Sequence, residues 1–147
     1  MLTYQQETFT NCLQDLQQLW PQHFEEVATF PDFGLNVDLD RFYAAEKAGH
    51  LVIATVRDAG RLVGYMMDFV FSPIHYKHIL SATSDAYYIL PNYRAKCARK
   101  LLKLIEQLVK NKGAVARVTR AKLTNKSADF HALLGYEAFE ISMKKEL

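Results

Sequence analysis

Residues 85–113 decide the fold of this chain and read DAYYILPNYRAKCARKLLKLIEQLVKNKG. The opening DAYYIL is rich in strand-forming side chains, and Pro91, which has no N–H to donate to a sheet, ends the strand. Apolar residues then recur at helical spacing up to Gly113, a residue typical of a helix stop. They are Ala98, Leu101, Leu102, Ile105, Leu108 and Val109. The stretch therefore predicts a strand, a turn and a helix that begins near Ala95.

Basic side chains cluster where this strand meets its helix. They are Arg94, Lys96, Arg99 and Lys100. The backbone N–H groups of a first helical turn favour an anion, and these cations strengthen that attraction. The junction therefore predicts a binding site for the phosphate groups of a cofactor.

The length of 147 residues predicts a single domain, residues 1–147, with a buried core. The net charge of +2 is too small to indicate nucleic-acid binding by itself. No apolar run is long enough to cross a membrane and no signal peptide is recognisable, so we expect a cytoplasmic protein. The two cysteines, Cys12 and Cys97, are not expected to pair, and whether the chain forms a homodimer is left open.

Two helices are predicted before the first long strand. Thr3 is expected to cap the first, and Pro21 is expected to end it, which leaves His23 in a polar segment beyond the helix. Its apolar face consists of Phe9, Cys12, Leu13, Leu16, Leu19 and Trp20. Asp38 is expected to cap the second helix, and Gly49 to end it.

The remaining segments predict a sheet. Strands at residues 51–56, 61–71 and 79–90 are joined by short connections, so they are expected to pair antiparallel. A strand at 114–121 follows the central helix and is expected to lie parallel to the strand before it. A short helix at 125–134 and a last strand at 138–144 complete an α/β (α+β) fold, with a mixed, mostly antiparallel sheet that contains a central parallel strand pair and is flanked by helices.

The central stretch resembles the signature of the GNAT N-acetyltransferases. That signature has a strand ending near Pro, an aromatic-Arg pair, a glycine-bearing pyrophosphate loop and a Leu-Leu helix. The pair is Tyr93-Arg94 and the helix carries Leu101-Leu102, whereas the loop departs from the family because its glycines are absent. Counted back from the Leu pair, Ala98 fits the final small position of a loop one residue short. The tail is also similar to the family's closing helix, through Ala128, Phe130 and Leu134-Gly135-Tyr136.

The resemblance implies that acetyl-CoA lies in a V where two parallel strands splay apart. Strand-edge amides of Tyr88, Ile89 and Leu90 would hold the pantetheine arm. The pyrophosphate would lie at the turn made by Arg94, Ala95, Lys96, Cys97, Ala98, Arg99 and Lys100. An amine would attack the thioester directly, with a base for the ammonium proton, an acid for the leaving thiolate and no metal.

Two residues are candidates for that acid and base. His131 occupies the position of the family's tyrosine acid, four residues before the closing glycine, and requires a partner that favours its charged form. Asp85 is the candidate base, directly or through a water, because burial among apolar neighbours raises a carboxyl pKa. Asp68 and Glu140 are alternative bases. A structural carboxylate at Asp85 and a partly exposed histidine beside Phe130 remain open as the plainer interpretations.

Three further side chains carry hypotheses. His75 and Tyr76, just before the third strand, are candidates to line the acceptor site, although a plain loop is the simpler interpretation. Cys97 lies at a helix N-terminus among cations, which predicts a lowered pKa and reactivity toward oxidation or coenzyme A. Its alternative interpretation is a tolerated replacement for glycine.

The leading hypothesis is an acetyl-CoA-dependent N-acetyltransferase that acts on a primary amine of unknown identity. The alternative is a catalytically degenerate GNAT-fold binding module for a protein partner or an acyl-CoA, favoured by the missing glycines and by His131. Nucleic-acid binding by the basic face of the central helix is opposed by Glu106 and by the small net charge. That face consists of Lys96, Arg99, Lys100, Lys103 and Lys110.

Overall fold

A computed structural model describes all 147 residues of the chain and contains five strands and four α-helices. The strands are β1 (Leu2–Glu7), β2 (Leu51–Asp58), β3 (Arg61–Phe71), β4 (Leu80–Ile89) and β5 (Ala114–Val118). The helices are α1 (Phe9–Val27), α2 (Leu39–Lys47), α3 (Arg94–Asn111) and α4 (Ser127–Ala132), with short 3₁₀ turns at Pro31–Phe33 and Pro91–Tyr93. None of the helices is long and apolar enough to cross a membrane.

One sheet runs in the order β1-β2-β3-β4-β5. Its first three pairings are antiparallel and β4 pairs with β5 in parallel. The predicted fold class is therefore confirmed. The β2–β3 hairpin turns through Ala59 and Gly60, both at positive φ, as the mirror-image two-residue turns require.

Each face of the sheet carries its own core, because neighbouring side chains of a strand point to opposite faces. The apolar stripe of α3 packs on one face, against Val52, Val63 and Met66. Helix α1 packs on the other face, against Ile53, Tyr65 and Met67. The helical spacing read in the central stretch and the buried place of Cys12 are both confirmed, and burial raises the pKa of the Cys12 thiol to about 12.

The N-terminal prediction was wrong in two respects. Thr3 lies in β1, and the cap of α1 is Thr8, whose hydroxyl accepts a hydrogen bond from the backbone N–H of Asn11 at 3.2 Å. The helix also continues through Pro21 to Val27. A proline removes one helical hydrogen bond, and Pro21 lies on the exposed face, whereas Phe24 and Val27 beyond it pack partly buried.

The C-terminal strand predicted at 138–144 is absent. Residues 137–147 form neither helix nor strand and are exposed, although Phe139, Ile141 and Met143 alternate with polar residues as in a strand. Alternation alone does not make a strand, because a strand requires a neighbour for its backbone, and here the segment pairs with none.

The pairing of β4 with β5 opens a V. The two strands are in register only from Leu80 to Thr83 of β4, and β5 ends at Val118. From Ser84 to Ile89, the outer edge of β4 has no strand beside it. This open edge leads directly to the start of α3.

A buried ion pair fixes β5 at the base of this V. The guanidinium of Arg117 binds the carboxylate of Asp68 at 2.6 and 3.0 Å, and Asp68 is 0% exposed. Arg117 lies beside Ala82 and Asp68 beside Ser84, so the pair crosses β4 over two small side chains. Burial by itself would lower the pKa of Arg117, but the hydrogen bonds that Arg117 donates to Asp68 outweigh this effect and raise the pKa. A third hydrogen bond from Arg117 reaches the hydroxyl of Tyr136 at 3.1 Å.

We predict that Asp68→Ala lowers the free energy of unfolding by roughly 3–5 kcal/mol, because it leaves the Arg117 charge buried without a partner. The double variant Asp68→Leu/Arg117→Met removes both charges and is expected to recover most of that loss. Urea unfolding of the three proteins measures both effects. Equal stability of the single and double variants would contradict this account of the pair.

Candidate functional site

A pocket of about 340 Å³ lies between α1, α2 and the inner strands. Its walls come from α1, α2 and the loop between them, and Tyr65, Met67 and Ala86 of β3 and β4 also line it. The wall residues are Trp20, Phe24, Val27, Leu35, Val37 and Phe42. The remaining lining residues are polar: His23, Asp38 and Asp85. The pocket is therefore an apolar space with two carboxylates at its boundary.

Asp85 occupies a β-bulge in β4. Met67 of β3 pairs with Ala86 and Asp68 pairs with Ser84, so Asp85 is the extra residue, and such bulges re-aim a side chain. It lines both this pocket and an adjacent hollow of about 260 Å³. Burial raises the pKa of its carboxyl, Arg120 opposes that rise and Asp68 adds to it, while no hydrogen bond contributes. Asp85 is nevertheless exposed to solvent, so its carboxylate is an available proton acceptor.

His23 lines the same pocket as Asp85. Its Nδ1 lies 2.7 Å from the hydroxyl of Tyr65, and its ring stacks on Tyr88 with centroids 4.9 Å apart. Burial lowers the pKa of His23 to about 4, against the charge of Glu26, so the imidazole is neutral near pH 7. Sequence reasoning missed this residue because Pro21 had been expected to end the helix that carries it.

The open edge of β4 meets the start of α3 through the turn at Pro91–Tyr93. The N–H of Tyr93 donates to the carbonyl of Leu90 at 2.8 Å, and the N–H of Arg94 donates to that of Pro91. Backbone donors that a glycine-bearing loop would turn toward a phosphate are here used within the turn. The N–H of Leu90 likewise donates to the carbonyl of Val63 at 2.9 Å, so this N–H is not free for the cofactor contact predicted for it.

Two of the four cations at this junction have partners in the protein. Arg94 donates through Nε to the carbonyl of Ile89 at 2.9 Å and forms an ion pair with Glu26 of α1 at 2.5 Å, so it braces the turn. The ammonium of Lys100 lies over the ring of Tyr4 at 4.3 Å. Lys96 and Arg99 are exposed and form no ion pair within 4.0 Å, so they are the cations available to a ligand.

No family model and no curated protein matches the sequence. Solved structures match it over nearly its whole length. An aminoglycoside acetyltransferase from an uncultured soil metagenomic sample, in complex with trehalose, has a TM-score of 0.76 at 15% identity, over 99% of this chain and 96% of that one. The aminoglycoside N-acetyltransferase AAC(6')-Iy, in complex with a CoA bisubstrate analogue, has a TM-score of 0.75 at 18% identity, over 100% and 98%. The chain has the GNAT fold. Glucosamine-6-phosphate N-acetyltransferase from Arabidopsis thaliana shares it at a TM-score of 0.72 and 12% identity, over 99% and 98%.

Cys97 does not have the environment predicted from the sequence, which was a helix N-terminus among cations. Its side chain is 0% exposed and points into the α3 core, where its thiol donates to the carbonyl of Tyr93 at 3.0 Å. Burial raises the pKa of the thiol. The expected lowering was wrong, because burial of the thiol disfavours its charged form.

His131 is buried rather than partly exposed, and its surroundings favour the neutral form, not the charged form that the acid role requires. It is 3% exposed, and its Nδ1 lies 2.7 Å from the carbonyl of Ser127, which only accepts, so Nδ1 carries the proton. Burial lowers its pKa in spite of that bond. The other nitrogen, Nε2, is buried without a partner among the rings of Tyr87, Phe130 and Tyr136. A neutral imidazole that gives its one N–H to a carbonyl has no proton to offer a thiolate.

The other acceptor-side candidates lie away from the pocket. Asp68 is buried under β4 against Arg117, on the α3 face, and Glu140 is exposed in the irregular C-terminal segment. His75 and Tyr76 lie exposed in the loop between β3 and β4 and are not among the pocket lining. These four residues therefore lie outside this pocket, whereas Asp85 lines it.

We predict that stability falls as pH drops from about 6.5 toward 4. The pKa values of His23 and His131 are lowered in the folded protein, so between those pH values the unfolded chain binds more protons, while above 6.5 stability is fully present. One histidine changes the free energy of unfolding by at most about 1.4 kcal/mol per pH unit. Urea unfolding between pH 4.5 and 7.5 measures the slope.

The variant His23→Gln is expected to flatten this slope, and His75→Gln, in the exposed loop, to leave it as it is. A slope that is the same in all three proteins would show that the buried imidazole of His23 is not its source.

Proposed function

We propose that this chain is an acetyl-CoA-dependent N-acetyltransferase that acts on a primary amine by direct transfer. The observation that carries the proposal is the meeting of two features on β4: its open outer edge and the unpaired carboxylate of Asp85, which faces a pocket. The solved structures of the same fold support it, since AAC(6')-Iy is described in complex with CoA and with a CoA bisubstrate analogue.

The cofactor is proposed to lie along the free edge of β4 near Tyr88 and Ile89. The V leaves this edge without a strand, so its outward backbone groups, apart from the Ile89 carbonyl that binds Arg94, are open to the amides of a pantetheine arm. Gly64 of β3 lets the side chain of Ile89 pack closely against it, because a Cβ at this position would lie only 2.9 Å from Cγ1 of Ile89. The pyrophosphate then lies at the turn, beside the exposed Lys96 and Arg99, with Ala95, Ala98 and Lys100 at its border.

The reaction assigned to Asp85 is removal of a proton from the acceptor ammonium, directly or through one water. The freed nitrogen lone pair attacks the thioester carbonyl carbon, the C–N bond forms, and the C–S bond breaks with its electrons on sulfur. The nitrogen loses its second proton to solvent as the amide forms, the thiolate takes a proton from solvent, and Asp85 later releases its own. A thiol has a pKa of about 8.5, so the thiolate leaves without a strong protein acid.

A second candidate function is a binding module that holds an acyl-CoA without transferring it. The observation in its favour is the turn itself, where the N–H groups of Tyr93 and Arg94 are used internally. The two functions differ in turnover: the module binds CoA and consumes no acetyl-CoA with any amine.

We predict that Lys96→Ala/Arg99→Ala weakens CoA binding by about tenfold or more, because charge-assisted bonds to phosphate are the strong ones. Calorimetry with CoA measures this, and S-acetylpantetheine, which lacks the diphosphate, is expected to bind the variant and the native protein equally. The pair Lys103→Ala/Lys110→Ala, exposed further along α3, serves as the matched control. Unchanged CoA affinity in the first variant would remove the pyrophosphate from this turn.

We predict that Asp85→Asn lowers kcat by roughly 100-fold or more while CoA affinity stays within about threefold, because the change removes a base and keeps the shape. The native rate is expected to rise with pH through the raised Asp85 pKa, and the variant is expected to lose that step. Glu140→Gln, exposed in the C-terminal segment outside the pocket, is the control. Full turnover together with a lowered melting temperature would make Asp85 a structural residue.

A further inference from the structure

The pocket that holds Asp85 has walls of one chemical character. Nine of its twelve lining residues are hydrophobic, and neither a lysine nor an arginine is among them. Trp20 and Phe24 contribute aromatic surface from α1, Phe42 contributes it from α2, and Leu35 contributes an aliphatic side chain from the loop between the helices. A volume of about 340 Å³ is near the lower limit for small-molecule pockets, so the space suits one short side chain or ring.

The polar boundary of the pocket is acidic. Asp38 and Asp85 line both the pocket and the neighbouring hollow, and so does Phe42 of α2. One oxygen of Asp38 accepts the N–H of Arg41 at 3.1 Å to cap α2, whereas Asp85 accepts no side-chain bond. The cations that face this boundary are Arg41, which lines the hollow, and Arg120, whose charge acts on Asp85 without an ion pair.

We propose that the acceptor is a monoamine with an apolar body, an alkylamine or an arylalkylamine, whose ammonium lies at Asp85 and whose chain fills the space between Trp20, Phe24 and Leu35. The proposal rests on the function proposed above and names its substrate class. An ammonium satisfies the free carboxylate, and an apolar chain loses no hydrogen bonds against these walls.

The same walls disfavour aminoglycosides and glucosamine 6-phosphate, the substrates after which the similar acetyltransferases are named. A hydroxyl-rich amine such as an aminoglycoside would leave donors and acceptors unpaired against apolar side chains. An amino sugar phosphate would bring its phosphate toward Asp38 and Asp85, with no lysine or arginine in the pocket lining to receive it. The shared fold therefore carries a different acceptor preference in this chain.

Direct binding tests the proposal without relying on catalysis. The native protein is titrated calorimetrically with hexylamine, 1-hexanol, glucosamine and sisomicin, each with and without saturating CoA. Hexylamine is expected to bind about tenfold or more tightly than hexanol, which lacks the charge, and than glucosamine, which lacks the apolar chain. Glucosamine or sisomicin binding as tightly as hexylamine, or no hexylamine binding at all, overturns the proposal.

Variants test separately how the pocket recognises the ammonium and how it recognises the apolar chain. Asp85→Asn is expected to weaken hexylamine about tenfold and to leave hexanol unchanged. Leu35→Asn, at a half-exposed position of the pocket wall, is expected to weaken both several-fold, whereas Ile74→Asn, exposed in the β3–β4 loop, changes neither. An Asp85→Asn protein that binds hexylamine as the native one does overturns the assignment of the ammonium.

Failure of the proposed function is recognised separately. If CoA does not bind while hexylamine binds with the expected pattern, the transferase proposal fails and only the recognition of an apolar amine by the pocket stands. If CoA binds and hexylamine does not, the acceptor class fails and the transferase proposal stands.

Discussion

The bond between Asp68 and Arg117 is the constraint on which the open site depends. β5 has only five residues and is in register with β4 at four of them, so few backbone bonds hold it. The ion pair ties it across β4 to β3, and Tyr136, which bonds both Arg117 and Glu106 of α3, ties the same point to the closing segment. Fixed only at its base, β5 ends at Val118 while β4 continues to Ile89, and the edge between them remains open. The hydroxyl of Tyr87, which donates to the carbonyl of Arg120 at 3.2 Å, holds the chain where it leaves β5.

Much of this fold could be predicted from the sequence, because the decisive elements carry redundant local signals. The α3 face repeats at helical spacing, Gly49 and Gly113 follow their helices at positive φ, and the β2–β3 hairpin turns on Ala59 and Gly60. The two errors at the termini lie where local signals conflict with pairing. β1 reads LTYQQE, with few strand-forming residues, and becomes a strand because β2 supplies a partner along its whole length. The segment 138–144 has the alternation of a strand and no partner.

The site was less predictable, because its residues depend on irregularities that leave little trace in a sequence. Asp85 reaches the pocket through a one-residue bulge, which no pattern in DAYYIL announces. His23 reaches it because α1 continues past Pro21, against the usual effect of proline. The burial of His131 and Cys97 depends on packing that includes segments distant in the sequence. The cations next to Cys97 therefore gave the wrong pKa direction for its thiol, and no local signal showed that burial keeps His131 neutral.

The neutral state of His131 changes which proton transfer matters in the proposed reaction. A thiolate whose thiol has a pKa of about 8.5 leaves readily, so the absence of a charged acid beside it costs little. An alkylammonium has a pKa of about 10.4, close to that of lysine, and at pH 7 almost none of it is the nucleophilic free amine. Removing that proton is therefore the step that requires the protein, and a carboxylate of ordinary pKa would be a weak acceptor for it. Burial raises the pKa of Asp85 and narrows this gap, and the protein groups around Asp85 include the apolar walls that we propose select the body of the amine. The basicity of Asp85 and the proposed acceptor preference therefore depend on the same protein surroundings, although the carboxylate itself remains exposed to solvent.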